Sequence, residues 1–263
     1  MSFLRPLGSS NLNVSALGLG SVKFGRNTGV KYPDSFTIPD DRAVLNLLIQ
    51  SQELGINFID TAPAYGNSEE RIGALLPKRQ DWIISTKVGE EFVNGESLFD
   101  FSTKQTQLSV ERSLKRLNTD YLDIVLIHSD GQDKKILLES SCLETLRKLQ
   151  ESGLIRAIGM STKTIAGGML AVDLLDIVML TYNLEQQDQE VVDYAQQHNK
   201  GILVKKGLMS GHVKKSGKEL VSESMALIFS QAAIGSMIVG TINPEHLAQN
   251  VKIAKSLLQE SIK

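Results

Sequence analysis

DIVLIH (Asp123–His128) and WIISTK (Trp82–Lys87) are short, almost continuously apolar runs, each stopping at one basic residue. A strand with one wet face alternates apolar and polar residues. A run without that alternation suits a parallel strand covered on both sides. Six further runs of this kind extend outward from these two: Ser15–Gly20, Ile56–Asp60, Ile155–Met160, Asp176–Tyr182, Gly201–Lys206 and Ser236–Gly240. Between them the apolar residues take helical spacing, as in Val110, Leu114 and Leu117, in Leu138, Cys142, Leu146 and Leu149, and in Leu247, Val251, Ala254 and Leu257. Ser102 with Gln105 three residues on reads as a capping box, and Asn243–Pro244 as an N-cap followed by a first-turn proline.

Eight strand-then-helix units in 263 residues predict one domain, residues 1–263, folded as a (β/α)8 TIM barrel of the α/β class. A doubly wound sheet is the alternative, but it needs fewer strands and a Gly-rich first turn. Phe3 to Val14, with Gly8 and Asn11–Asn13 as turn formers, predict an N-terminal β-hairpin closing the barrel's bottom.

Composition narrows the function. With 41% hydrophobic and 22% charged residues the chain supports a substantial core, against disorder or a collagen-like repeat. The 28 basic residues nearly balance 30 acidic ones, so no nucleic-acid or anionic-membrane partner is expected. A single cysteine, Cys142, excludes an internal disulfide framework and a cysteine-based zinc site, and no metal is expected. Ser224–Pro244 is uncharged and long enough to span a bilayer, but Gly235–Ser236 splits it into a helix-like and a strand-like half. The opening MSFLRPLGSSN has no secretory apolar stretch, and a cytoplasmic location is the expectation.

Barrel chemistry sits at the carboxyl ends of the strands. The second, third and fourth runs end in Asp60, Lys87 and His128, and Tyr65 follows five residues after Asp60. Taken singly, each has a plain structural reading: an N-cap, a snorkelling amine, a core histidine, a packed loop aromatic. Together they make a proton-handling set. A phenol is a weak acid at pH 7, a nearby ammonium stabilises its phenolate, a carboxylate offsets that ammonium, and an imidazole holds a substrate oxygen. Lys87 alone also allows a Schiff-base aldolase.

GINFIDTAPAYGNSEERIG (Gly55–Gly73), ERSLKRLNTDYLDIVLIH (Glu111–His128) and ISTK around Lys87 closely resemble signatures of the aldo-keto reductases, and the resemblance covers nearly the whole chain. It implies nicotinamide-dependent reduction of a small-molecule aldehyde or ketone, or the reverse oxidation of an alcohol or sugar. Tyr65 would be the general acid, Lys87 and Asp60 would tune it, and His128 would orient the carbonyl.

Phosphates in barrels lie near the loops after the seventh and eighth strands. Here these hold Lys205 and Lys206, then Gly240 and Thr241 ahead of a helix N-terminus that favours an anion. The resemblance adds Ser161 and Thr162 beside the carboxamide and Gln249 and Asn250 around the adenine. Lys23, in the long insertion Ser21–Pro39, joins the candidate cofactor set. That insertion, with Tyr32 and Phe36, is expected to cover the mouth.

Departures from the family pattern are Thr162 for asparagine, Met179 for glutamine, Lys205 for a stacking aromatic, and Ile242 for the arginine aimed at a 2′-phosphate, with His246 nearby. NADPH is the expected donor by resemblance, with NADH as the alternative because no guanidinium fork is in place. Thr162 and Met179 also motivate a second reading, a cofactor-binding regulatory relative with little turnover.

Overall fold

The computed structural model describes residues 2–211 and 218–260. The strands among them are β1 (Leu4–Pro6), β2 (Asn13–Ser15), β3 (Leu17–Gly20), β4 (Phe58–Asp60), β5 (Ile83–Val88), β6 (Glu90–Val93), β7 (Glu96–Phe99), β8 (Leu122–His128), β9 (Ile155–Ser161), β10 (Ile177–Thr181), β11 (Gly201–Lys205) and β12 (Ile234–Val239). The helices are α1 (Val22–Gly25), α2 (Asp41–Glu53), α3 (Ser68–Leu75), α4 (Thr103–Arg116), α5 (Asp133–Glu139), α6 (Cys142–Glu151), α7 (Ile165–Leu174), α8 (Gln189–Gln197), α9 (Lys218–Phe229) and α10 (Pro244–Glu260). Eight strands close into a parallel barrel in the order β3-β4-β5-β8-β9-β10-β11-β12, as the apolar runs predict.

Two apolar layers follow from strands covered on both faces. Outward-facing residues such as Ile59, Ile84, Val125, Ile158 and Val204 pack under the helices. Inward-facing ones, Phe58, Ile124, Leu126, Ala157, Ile177, Met179 and Leu203, fill the barrel. The β1–β2 hairpin adds Leu7, Leu12 and Val14 to this inner layer, so it plugs the bottom as expected. Its turn needs Gly8 at φ +55°, where a Cβ would collide with the backbone of Lys200 and Gly201. Below the barrel, buried Asp123 accepts from Arg79 at 2.7 Å, Arg156 at 2.8 Å and the Ile84 amide at 3.0 Å, tying three strands at their feet.

Three local readings change. Leu138 belongs to the short α5 and is exposed; Ser140 breaks the helix before Cys142, so the four-residue stripe is shared by two helices. The Ser224–Pro244 run divides into the end of α9 and the whole of β12, with the break at residues 230–233, and no described helix is long and apolar enough to cross a membrane. The β6–β7 hairpin was not anticipated. Its turn is Asn94–Gly95 at φ +52° and +89°, the Asn-Gly pair that two-residue hairpin turns prefer. The KKSGKE stretch (Lys214–Glu219), whose charges and Ser-Gly pair read as a solvated loop, lies mostly outside the described residues, and its last two residues open α9. Cys142 is a core residue whose thiol burial pushes up to about 11.

If the hairpin completes the inner core, Leu7→Ala, which empties the space between Gly201 and Gly235, should cost about 2–5 kcal/mol in urea unfolding. A loss under about 1 kcal/mol would show that the hairpin merely rests on the barrel.

Candidate active site

Four inner columns of the barrel are apolar below and polar at the top. Phe58 is followed two residues later by Asp60, Leu126 by His128, Met179 by Thr181 and Leu203 by Lys205. Since side chains alternate along a strand, these polar residues share the inner face with the apolar ones beneath them. Strand register joins them around the rim: Asp60 pairs with Ser85, two residues below Lys87; His128 pairs with Ser161, and Thr181 with Lys205. A cavity of about 640 Å³ opens above them, lined among others by Asp60, Tyr65, Lys87, His128, Ser161 and Lys205.

The Lys87 ammonium donates to both carboxylate oxygens of Asp60 and to the Thr61 carbonyl, each at 2.8 Å. Its nitrogen also lies 4.9 Å from the centroid of the Tyr65 ring. Burial pulls this lysine down, but Asp60 and Tyr65 outweigh it and leave it above the ordinary value. Burial pushes the Tyr65 phenol up; Lys87 draws it down and Asp60 raises it again, with burial prevailing. The lysine therefore moderates the phenol without making it a strong acid, and Tyr65 keeps its proton at neutral pH. The loop carrying Tyr65 is pinned by α1: Gly66, at φ +63°, lies so close to Gly25 that a Cβ would meet its carbonyl oxygen.

His128 meets a residue that the sequence reading missed. Its Nδ1 lies 2.7 Å from the Glu90 carboxylate, on the unanticipated β6–β7 hairpin. Burial raises Glu90, but His128, Ser97 and Arg26 hold it down at about 2. Burial lowers His128; Glu90 raises it, Lys87 and Lys205 lower it, and it ends below its ordinary value. The signal for the hairpin was present in VNGESLF (Val93–Phe99), where Asn-Gly sits between two short β-prone runs. Nothing in the sequence says where its first residue points.

The candidate cofactor residues divide. Lys23, Ser161, Thr162, Lys205, Lys206, Gly240, Thr241 and Asn250 all line the cavity, with His246; Gln249 is not among the lining residues. Lys205 donates to Ser161 Oγ at 2.8 Å and to the Thr162 carbonyl at 2.7 Å, so its amine is engaged along the rim. Burial, helped by Lys206, drops it to about 7. Lys206 is also lowered, by burial and by Lys31 and Lys163. The N-terminus of α10 is already capped, because Asn243 Oδ1 accepts from the Glu245 and His246 amides at 2.8 and 3.1 Å. Ile242 packs against the outer core. Of the Ser21–Pro39 insertion, Lys31, Tyr32, Pro33 and Asp34 reach the cavity. The Tyr32 ring lies against Lys23 at 3.9 Å, while its hydroxyl abuts Gly240. Phe36 stacks edge-on behind Tyr32. Among the described residues, no group of three or more acidic, His or Cys side chains is placed to hold a metal ion.

Comparison with known proteins agrees with this architecture. The model of the aldo/keto reductase family matches residues 16–220. A solved structure from Pseudomonas aeruginosa, provisionally named an aldo-keto reductase, is 52% identical; the match covers 98% of this chain and 96% of that one, with a TM-score of 0.90. The L-galactose dehydrogenase of Arabidopsis thaliana is 26% identical over 97% of this chain and 88% of its own length. An NADH-specific methylglyoxal reductase of Escherichia coli is 28% identical over 80% and 70%. The chain belongs to the aldo/keto reductase family, oxidoreductases that act on carbonyl and alcohol substrates with nicotinamide cofactors.

Proposed function

We propose that the chain interconverts a small aldehyde or ketone and its alcohol, with NADPH as the donor and NADH accepted less well. The observation that carries this reading is the Lys87 ammonium, held by Asp60 and 4.9 Å from the centroid of the Tyr65 ring, in the cavity that Tyr65 and His128 also line. An oriented acid, a cation beside it and an imidazole across one hollow suit proton delivery to a carbonyl oxygen.

A bound nicotinamide supplies hydride to the carbonyl carbon, or accepts it in the reverse direction. The residues of the chain handle the proton. Tyr65 gives its hydroxyl proton to the substrate oxygen, and the phenolate left behind is stabilised by Lys87. Asp60 keeps that ammonium from being a lone buried charge. In oxidation the same phenolate takes the proton back. The aldolase reading is weakened by the same geometry. A lysine held as an ammonium by three oxygens at 2.8 Å, with its pKa raised, is a poor nucleophile.

Lys23, Lys31, Lys163 and Lys206 surround the cavity, with Asp34 as the one carboxylate besides Asp60 among the described lining residues, an excess of positive charge that fits a diphosphate. Gly240, Thr241 and Asn250 would flank it. At the nicotinamide end, Ser161 and Thr162 would meet the carboxamide only if Lys205 yields or shares its contacts there. With Ile242 turned into the core, no guanidinium comes from that position to the 2′-phosphate.

Tyr65→Phe should lower carbonyl reduction by at least about a hundredfold while leaving cofactor affinity nearly intact, read from reduced-cofactor absorbance and a fluorescence titration. Full activity in this variant would remove Tyr65 from the acid role. Lys206→Ala should weaken binding of either reduced cofactor by roughly tenfold, and raising the salt should shrink that difference. Titrated side by side, NADPH should bind more tightly than NADH by no more than about tenfold, since no arginine fork stands ready. A preference above a hundredfold would point to a phosphate contact elsewhere in the chain.

A further inference from the structure

Lys205 closes an inner column of the barrel, yet the proton-handling set makes no use of it. The residue ends β11, pairs with Thr181 across the sheet and lines the cavity. Its Nζ donates to Ser161 Oγ at 2.8 Å and to the Thr162 carbonyl at 2.7 Å, and among the described residues these two oxygens are its hydrogen-bond partners. A count of hydrogens separates it from Lys87. An ammonium carries three N–H groups, and Lys87 finds three oxygens at 2.8 Å. A neutral amine carries two N–H groups and a lone pair, and Lys205 finds two oxygens. Neither of them belongs to a carboxylate that would hold a third proton in place.

The surroundings act in the same direction. Burial brings this amine down to about 7, and three other ammonium groups add to the effect: Lys206, next in the chain, Lys163 from the loop after β9, and Lys87 on β5. His128 at the end of β8 also lies within the field of Lys205, which lowers it. Asp133 on α5 is the one group that opposes them. Its carboxylate already accepts from the Lys163 and Thr164 amides at 3.0 and 2.8 Å and from the Thr164 and Ser129 hydroxyls.

We propose that Lys205 is a covalent capture site, whose free amine condenses with a phosphorylated aldehyde to form an imine on the rim that it shares with Ser161 and Thr162. The Nζ lone pair adds to the aldehyde carbon, the C=O electron pair moves to oxygen, and one proton passes from nitrogen to that oxygen, giving a carbinolamine. The hydroxyl takes up a proton and leaves as water, and nitrogen gives up its last hydrogen as a proton. Amine and aldehyde become imine and water, with no oxidant or reductant consumed. Lys23, Lys31, Lys163 and Lys206 around the cavity supply the attraction for the phosphate. An imine at Lys205 would stand where the nicotinamide carboxamide needs Ser161 and Thr162, so an aldehyde captured first keeps the cofactor out. That competition rests on the proposed function; the reactivity of the amine does not.

The probe is pyridoxal 5′-phosphate, added to the intact chain without cofactor, followed by borohydride reduction and peptide mass mapping. Lys205 should be the first lysine labelled. At pH 7 its free-base fraction is about a thousand times that of an ordinary lysine, and its weaker basicity cancels part of that advantage. Labelling should therefore run at least about tenfold faster than at the other lysines. The rate at Lys205 should level off above about pH 8, where that of an ordinary lysine still climbs. Lys205→Arg keeps the charge and should abolish this label. Label spread evenly over the lysines of the wild type, or a pattern that Lys205→Arg leaves unchanged, overturns the proposal.

Two further arms separate its parts. Pyridoxal, which lacks the phosphate, should label Lys205 at least about tenfold more slowly, and Lys206→Ala should narrow that gap. Equal rates with the two aldehydes in the wild type overturn the phosphate preference. Bound NADPH should slow labelling at least about tenfold, and full-rate labelling of a cofactor-loaded chain overturns the competition. A chain that binds neither reduced cofactor would defeat the proposed function, while the label map would still decide the role of Lys205.

Discussion

A lysine ammonium inside a barrel is unstable unless its surroundings are built for it, and the site depends on how that is done for Lys87. The side chain is only 2% exposed, and three oxygens stand 2.8 Å from its nitrogen. Removing a charge from water costs several kcal/mol, so the pair survives only with near-ideal geometry and with the remaining donors satisfied. Parallel register supplies that geometry. Asp60 pairs with Ser85, and Lys87 is the next residue upward on the same inner face. The Thr61 carbonyl completes the cage because the chain turns just after β4. Tyr65 then has beside its ring, 4.9 Å from the centroid, a cation that cannot leave. A substitution at Asp60 would strand a buried charge, a change whose cost is typically about 3–5 kcal/mol.

The parts legible in the sequence are those where local pattern and burial coincide. Strand runs were readable because both faces of the sheet are covered, which removes the alternation that solvent would impose. Asp60, Lys87 and His128 stood out because each is the ionisable residue that closes a strand run. Glu90 had no such mark. It belongs to a two-stranded excursion whose faces are half wet, and its meaning lies in a contact to a strand 38 positions later. The Leu138 stripe misled for a related reason. A four-residue step is equally consistent with one helix or with two short ones sharing a face, and only Ser140, whose hydroxyl returns to the Ile136 carbonyl at 2.6 Å, separates them.

The anion side of the cavity was legible as charge but not as geometry. Small residues ahead of α10 suggested open amides, yet Asn243 fills two of them with its own side chain. A residue read as an N-cap and a residue read as part of an anion site make competing claims on the same N–H groups, and here the cap has them. The attraction then falls to lysines that repel one another, as Lys31 and Lys163 do to Lys206. Such a cluster keeps its charge best when a polyanion sits among its members, which couples cofactor binding to the protonation of the pocket.

Lys87 and Lys205 isolate what decides a role at this rim. Both end inner columns of the same barrel, both are buried at the amine, and burial lowers both. Lys87 touches a carboxylate and ends above the ordinary lysine value. Lys205 touches a hydroxyl and a carbonyl, has another lysine beside it, and ends near 7. Position at a strand end therefore makes a residue available to the cavity and says nothing of its charge. The partner sets the charge: Asp60 makes Lys87 a fixed cation, and Glu90, 2.7 Å from His128 Nδ1, favours the protonated ring against the two nearby lysines. A polar rim of this kind is thus specified by pairs of residues, one facing substrate and one behind it.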